Sequence, residues 1–76
     1  MNNVRRKRLF KIVDEISKLK DEFESIYDEE QDAFENIPEN LEGSEKYEAA
    51  ENAVDLLDEA FEMLGEIIEV INNACE

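Results

Sequence analysis

Carboxylates are the only side chains of this sequence numerous and regular enough to act as a set. Glu48, Glu51, Asp55, Asp58, Glu59, Glu62, Glu66 and Glu69 recur mostly at intervals of three and four, the spacing that lines one face of a helix. With Glu45 they place nine acids along about 36 Å, or one charge per ~4 Å at the helical rise of 1.5 Å per residue. A single DNA strand carries one phosphate per ~3.4 Å. Such a face could occupy a basic nucleic-acid channel on another protein. It could also speed encounter with a basic partner without mimicry, or simply keep a small bundle in solution. The pairs Glu51/Asp55, Asp55/Glu59, Asp58/Glu62 and Glu62/Glu66 put like charges four residues apart, each costing a few tenths of a kcal/mol in an isolated helix. After Lys46 no Lys or Arg follows to relieve them.

Other chemistries are poorly served. The chain has 76 residues, no His and one Cys, which argues against zinc fingers, Ser-His-Asp or Cys-His catalysis and an intrachain disulfide. Asp28-Glu29-Glu30-Gln31-Asp32 offers oxygen ligands, but Ala33 stands where a calcium loop needs Gly, and the run falls within a helical pattern. Paired carboxylates need a cleft to act as acid and base, which so short a chain hardly provides. We therefore expect no enzyme, no cofactor and no metal, and an inert Cys75. Twenty-two acids against eight bases leave a charge of −14, unfavourable for direct contact with nucleic acid or an anionic membrane. No stretch reads as a secretory signal or a membrane span. With the lone Cys, that makes the cytoplasm the expected compartment.

The apolar residues predict two helices. Leu9, Ile12, Ile16, Leu19, Phe23 and Ile26, continued by Ala33 and Ile37, alternate by three and four, with Glu30 interrupting and Val13, Tyr27 and Phe34 widening the stripe. Tyr47, Ala50, Val54, Leu57, Phe61, Leu64, Ile68, Ile71 and Cys75 repeat the pattern without a polar break. Helix 1 is expected over residues 3–35, the turn over 36–43 and helix 2 over 44–74, in one domain. Pro38 should end helix 1, Asn36 should cap a short turn, Gly43 should stop it in a left-handed conformation, and Ser44 should cap helix 2. So short a connection makes an antiparallel, all-α hairpin.

A hairpin leaves part of helix 2 wet. Beyond the seam, Ala53, Ala60, Ile67 and Ala74 recur every seven residues, and so do Ala49, Leu56, Met63 and Val70. One partner helix covers only a narrow stripe. Leu56, Ala60, Met63, Ile67 and Val70 are therefore candidates for a dimer or partner face, and a homodimer forming a four-helix bundle is expected. Gly65, on the polar side, could admit a close contact. The basic residues cluster early, giving residues 1–20 a balance of +5 and the remainder −19. Pairing of that cluster with Glu66, Glu69 and Glu76 across the hairpin is the expectation.

The stretch Asp28-Glu29-Glu30-Gln31-Asp32-Ala33-Phe34-Glu35-Asn36-Ile37-Pro38-Glu39-Asn40-Leu41, followed by Gly43-Ser44-Glu45-Lys46-Tyr47-Glu48, resembles small acidic helical proteins encoded by phages and mobile elements of Firmicutes. These share a basic start, the acidic-Gln-acidic run, an Asn-x-Pro-Glu-x-Leu turn and an acidic closing helix. The resemblance implies no functional residue. It does imply a setting in which inhibitors of host defence proteins are common. The sequence thus points to an acidic protein-binding module, with an anti-defence DNA mimic as its most concrete form. The alternative is a structural or adaptor coiled coil that self-associates or binds a partner through its apolar face.

Overall fold

The computed structural model describes all 76 residues. Helix α1 spans Asn3–Glu35 and helix α2 spans Glu45–Ala74, joined by a single 3-10 turn at Glu39–Leu41. Each terminus is built from local chemistry. Asn2 accepts a hydrogen bond from the Arg5 amide at the start of α1, and Ser44 accepts one from the Tyr47 amide at the start of α2. These caps satisfy donors that have no partner within the first turn. Asn36 turns its side chain back to the Asp32 carbonyl rather than forward into the turn, so Pro38, not Asn36, begins the 3-10 turn. Gly43 stands at φ +82°, a conformation that costs other residues ~1–2 kcal/mol.

The helices run antiparallel along a rod of 59 × 16 × 13 Å. The residues turned inward on α2 are Tyr47, Ala50, Val54, Leu57, Phe61, Leu64, Ile68, Ile71 and Cys75, the seam read from the sequence. On α1 the seam lies one residue further on than the spacing predicts at alternate positions. Leu9, Ile16, Phe23 and Ile37 face inward, but their companions are Val13, Lys20, Tyr27 and Phe34, while Ile12, Leu19 and Ile26 are exposed. Aromatic contacts explain the choice. Phe34 packs on Tyr47 with ring centroids 5.0 Å apart, Phe23 stacks on Phe61 at 6.4 Å, and Lys20 Nζ lies 4.6 Å from the Phe61 centroid. Ring pairs and a cation over a ring are worth roughly 0.5–1.5 kcal/mol each beyond area burial.

The closed interior is thin. Only Val13 and Val54, each 9% exposed, and Cys75 at 6% are buried. The chain exposes 5965 Å², whereas a typical folded monomer of 8.9 kDa exposes about 4,800 Å². The roughly 1,200 Å² of excess exceeds the ~800 Å² that one partner contributes to a standard interface.

Candidate functional site

Two surfaces compete for function, and the seam determines where each lies. An antiparallel helix pair has a pseudo-twofold axis normal to its plane. Residues holding the same place relative to the seam in each helix therefore share a broad face of the hairpin. Ile12, Leu19, Ile26 and Ala33 each precede an inward residue of α1; Ala53, Ala60, Ile67 and Ala74 do the same on α2. All eight lie on one face, with Ala49, Leu56, Met63 and Val70 flanking them.

Register then aligns the large residues. Arg6 meets Cys75, Lys20 meets Phe61 and Phe34 meets Tyr47. Carried along both helices, that pairing sets Ile12 level with Val70, Leu19 with Met63, and Ile26 with Leu56. These three apolar rungs are about 10.5 Å apart at the helical rise. Their six residues are 45–65% exposed, and Ile67, at 46%, fills the gap between the first two rungs. Ala60 is half-buried against α1 and contributes less of the free face than its position on the wheel suggests. At the terminal end the face is hollowed, once among Met63, Ile67, Val70 and Ile71 with Glu66 at the rim, and again among Met1, Leu9, Ile12, Arg5 and Arg8.

The acidic residues occupy a separate sector. Glu48, Asp55, Glu62 and Glu69 form a column every seven residues on the outer flank of α2, with Glu51 and Asp58 to one side and Glu59 and Glu66 to the other; all eight are exposed. They form an open flank, with one shallow hollow at Glu48, Glu51, Asn52 and Asp55. On the seam, burial first, then the carboxylates Asp58, Asp28, Asp55 and Glu35 from both helices, raises the half-buried Tyr27 phenol above its ordinary value. No group of three or more acidic or cysteine side chains converges on a point where a metal ion would be held. Asp28, Glu29 and Asp32 project outward from α1, and Glu30 sits half-buried on the seam.

The basic cluster finds a different partner from the one expected. Arg6 Nε donates to the Cys75 carbonyl at 2.8 Å and its Nη1 to Asn3 Oδ1 at 2.9 Å, with no bond to Glu66, Glu69 or Glu76. The cation thus meets the negative end of the α2 dipole, whose last turn carries no base of its own. Arg5, Lys7, Arg8, Lys11 and Lys18 remain exposed. Periodicity places Ile12, Leu19 and Ile26 in the seam, whereas the structure exposes them on the apolar face. Their signal was the second, more aromatic column of Val13, Tyr27 and Phe34 competing for the same seam. Gly65 leaves room for Lys20, whose Nζ would lie 3.4 Å from an added Cβ. No helix is long and apolar enough to cross a membrane. No protein-family model, curated protein or solved structure matches the chain.

Proposed function

We propose that the chain is a non-enzymatic, cytoplasmic interaction module. It self-associates through its apolar face and presents the acidic flank of α2 to a basic surface on another protein. The observation that supports this reading is the segregation of the two surfaces. Apolar rungs occupy one sector, and eight exposed carboxylates without an interspersed base occupy another. A flank that only kept the bundle soluble would do so more cheaply with mixed charges, because Glu-to-Lys spacing stabilises a helix where Glu-to-Glu spacing destabilises it. The charge density of the flank favours a partner whose own site is built for a phosphate backbone. The phage-like turn adds the setting of an anti-defence inhibitor.

Charge reversal tests this. Asp55→Lys, Glu62→Lys and Glu69→Lys together should leave helicity unchanged by circular dichroism. They should abolish retention of basic, nucleic-acid-binding proteins from a host lysate, and the proteins retained by the unaltered chain should release bound DNA or RNA when it is added. Equal retention by both chains would defeat the acidic reading. The apolar rungs favour a second reading, an adaptor that binds its partner through Leu56, Met63 and Val70. Salt separates the two, since an electrostatic complex weakens steeply once the Debye length falls to ~10 Å near 0.1 M, and an apolar one does not.

A further inference from the structure

We infer that a second copy of the chain covers the apolar face in one orientation only, antiparallel, and that the acidic surface is thereby built from both copies. This rests on the reading of the chain as a self-associating acidic module and specifies how that module is assembled. The three rungs are symmetric about the Leu19–Met63 pair. A twofold axis through that pair, perpendicular to the rod, lays Ile12 and Val70 of one copy against Ile26 and Leu56 of the other. The hollows at Met63–Ile71 and Met1–Ile12 then receive the partner's Leu56 and Ile26, respectively. A twofold axis along the rod would match the rungs equally well, so apolar contact leaves the orientation open.

Charge decides it. The terminal half of the rod, residues 1–20 with 62–76, carries seven cations against six anions; the turn half, residues 21–61, carries sixteen anions against one cation. Packed helices stand 8–10 Å apart, about one Debye length at physiological salt. Facing halves therefore feel one another, and halves at opposite ends of the rod scarcely do. A parallel dimer sets two strongly negative halves face to face. The antiparallel dimer sets each against a nearly neutral half rich in Arg and Lys. At the α1 rim it also brings Arg8, which is exposed, level with the partner's Glu29, twice by symmetry. In the parallel alternative that rim of Arg8, Glu15, Glu22 and Glu29 faces the column of Val70, Met63, Leu56 and Ala49 on the partner's α2, so Arg8 gains no carboxylate in that column. The antiparallel dimer sets Glu15 level with the partner's Glu22 at the α1 rim but gains the two Arg–Glu contacts there, and across α2 the same column pairs Leu56, Met63 and Val70.

The antiparallel axis has a structural consequence. It packs α2 beside the partner's α2, so both acidic columns run along one flank in opposite directions, as the two phosphate strands of a duplex do. In a parallel dimer the two α2 helices would lie diagonally, with their columns on opposite flanks. The surface offered to a basic partner is complete only when both copies are present.

The orientation is measurable on the full chain. In a Cys75→Ala background, spin labels at Glu42→Cys should give a turn-to-turn distance approaching the 59 Å rod length. Mixing that protein with one labelled at Asn2→Cys should give a short turn-to-terminus distance of about 20 Å, two helix spacings. Separately, Arg8→Glu and Glu29→Arg should each weaken the dimer about three- to tenfold in sedimentation equilibrium, consistent with exposed pairs worth up to ~1 kcal/mol each. The double exchange should restore it to within about twofold. These residues lie six turns apart on one helix, so the rescue has no intrachain explanation. A short turn-to-turn distance, a monomer, or a double variant no tighter than the singles would overturn the arrangement. Each of those outcomes would leave charge-reversal capture by the α2 flank standing as a separate result.

Discussion

On one broad face of the hairpin the columns beside the seam hold Ile12, Leu19, Ile26 and Ala33 against Ala53, Ala60, Ile67 and Ala74. On the other they hold Phe10, Ser17, Glu24 and Gln31 against Glu51, Asp58, Gly65 and Asn72. Backbone, pitch and seam are common to both faces, so the difference lies wholly in side chains. The second face is finished as a solvent surface. The first leaves three rungs of large apolar side chains 45–65% exposed, each forgoing about half of the ~1.5–3 kcal/mol that full burial supplies. A two-helix rod without a closed core gains more from covering that face than from any contact it makes internally.

The sharpest way to break the comparison is to charge one face and then the other. Leu19→Glu with Met63→Glu should weaken self-association by more than about 100-fold, since four aliphatic contacts are lost and four carboxylates enter the interface. Sedimentation equilibrium would read this, and the thermal midpoint should lose its dependence on concentration. Phe10→Glu, which charges the opposite face, should leave both unchanged.

Below that in size comes the seam shared by the faces. Phe61→Ala removes the stack on Phe23 and the ring beneath Lys20. It should cost about 2–3 kcal/mol in denaturant unfolding, less than for a fully buried ring because Phe61 is only half-covered. Gly65 sharpens the comparison from the polar side. Gly65→Ala gains ~1 kcal/mol of helix propensity and meets only the mobile tip of Lys20, so it should raise the midpoint by a few degrees. A fall would mean that Lys20 is held firmly in its place over the Phe61 ring.

The smallest effect concerns pH. The Tyr27 phenol is raised above its ordinary value by burial and by Asp58, Asp28, Asp55 and Glu35. A raised folded-state pKa contributes stability that is present below the unfolded value, ~10 for tyrosine, and lost as pH rises through the folded one. Stability should therefore drop on the alkaline side of pH 10, and Tyr27→Phe should flatten that decline in a series of unfolding titrations.

Much of this fold is legible in the sequence, and the seam of α1 is the exception. Along α2 every seam residue from Tyr47 to Cys75 is apolar, and the rival column of Ala53, Leu56, Ala60, Met63, Ile67, Val70 and Ala74 is less bulky, three of its members being Ala, so period and side-chain size together locate the seam. The caps at Ser44 and Gly43 follow from side-chain chemistry within a few residues. On α1, Leu9, Ile16, Phe23 and Ile37 fit two seams equally. The column of Ile12, Leu19 and Ile26 is the more aliphatic, and local hydrophobicity favours it. What reverses the choice is nonlocal: Phe34 finds Tyr47, and Lys20 finds Phe61. Neither contact has a signature in the spacing of α1. The candidate surface followed the seam, so its α2 half was readable and its α1 half was not. The partner of the basic cluster is hidden for a related reason, because a carbonyl at a helix terminus attracts Arg6 without appearing in any count of charges.

Sedimentation equilibrium of the unaltered chain at tens of micromolar, at low and at moderate salt, bears most directly on the free apolar face. The expected species has twice the 8.9 kDa chain mass and tightens as salt screens the −14 carried by each copy. A single 8.9 kDa species at both salts, unfolding cooperatively at a midpoint independent of concentration, would show that the hairpin is stable with its rungs in water.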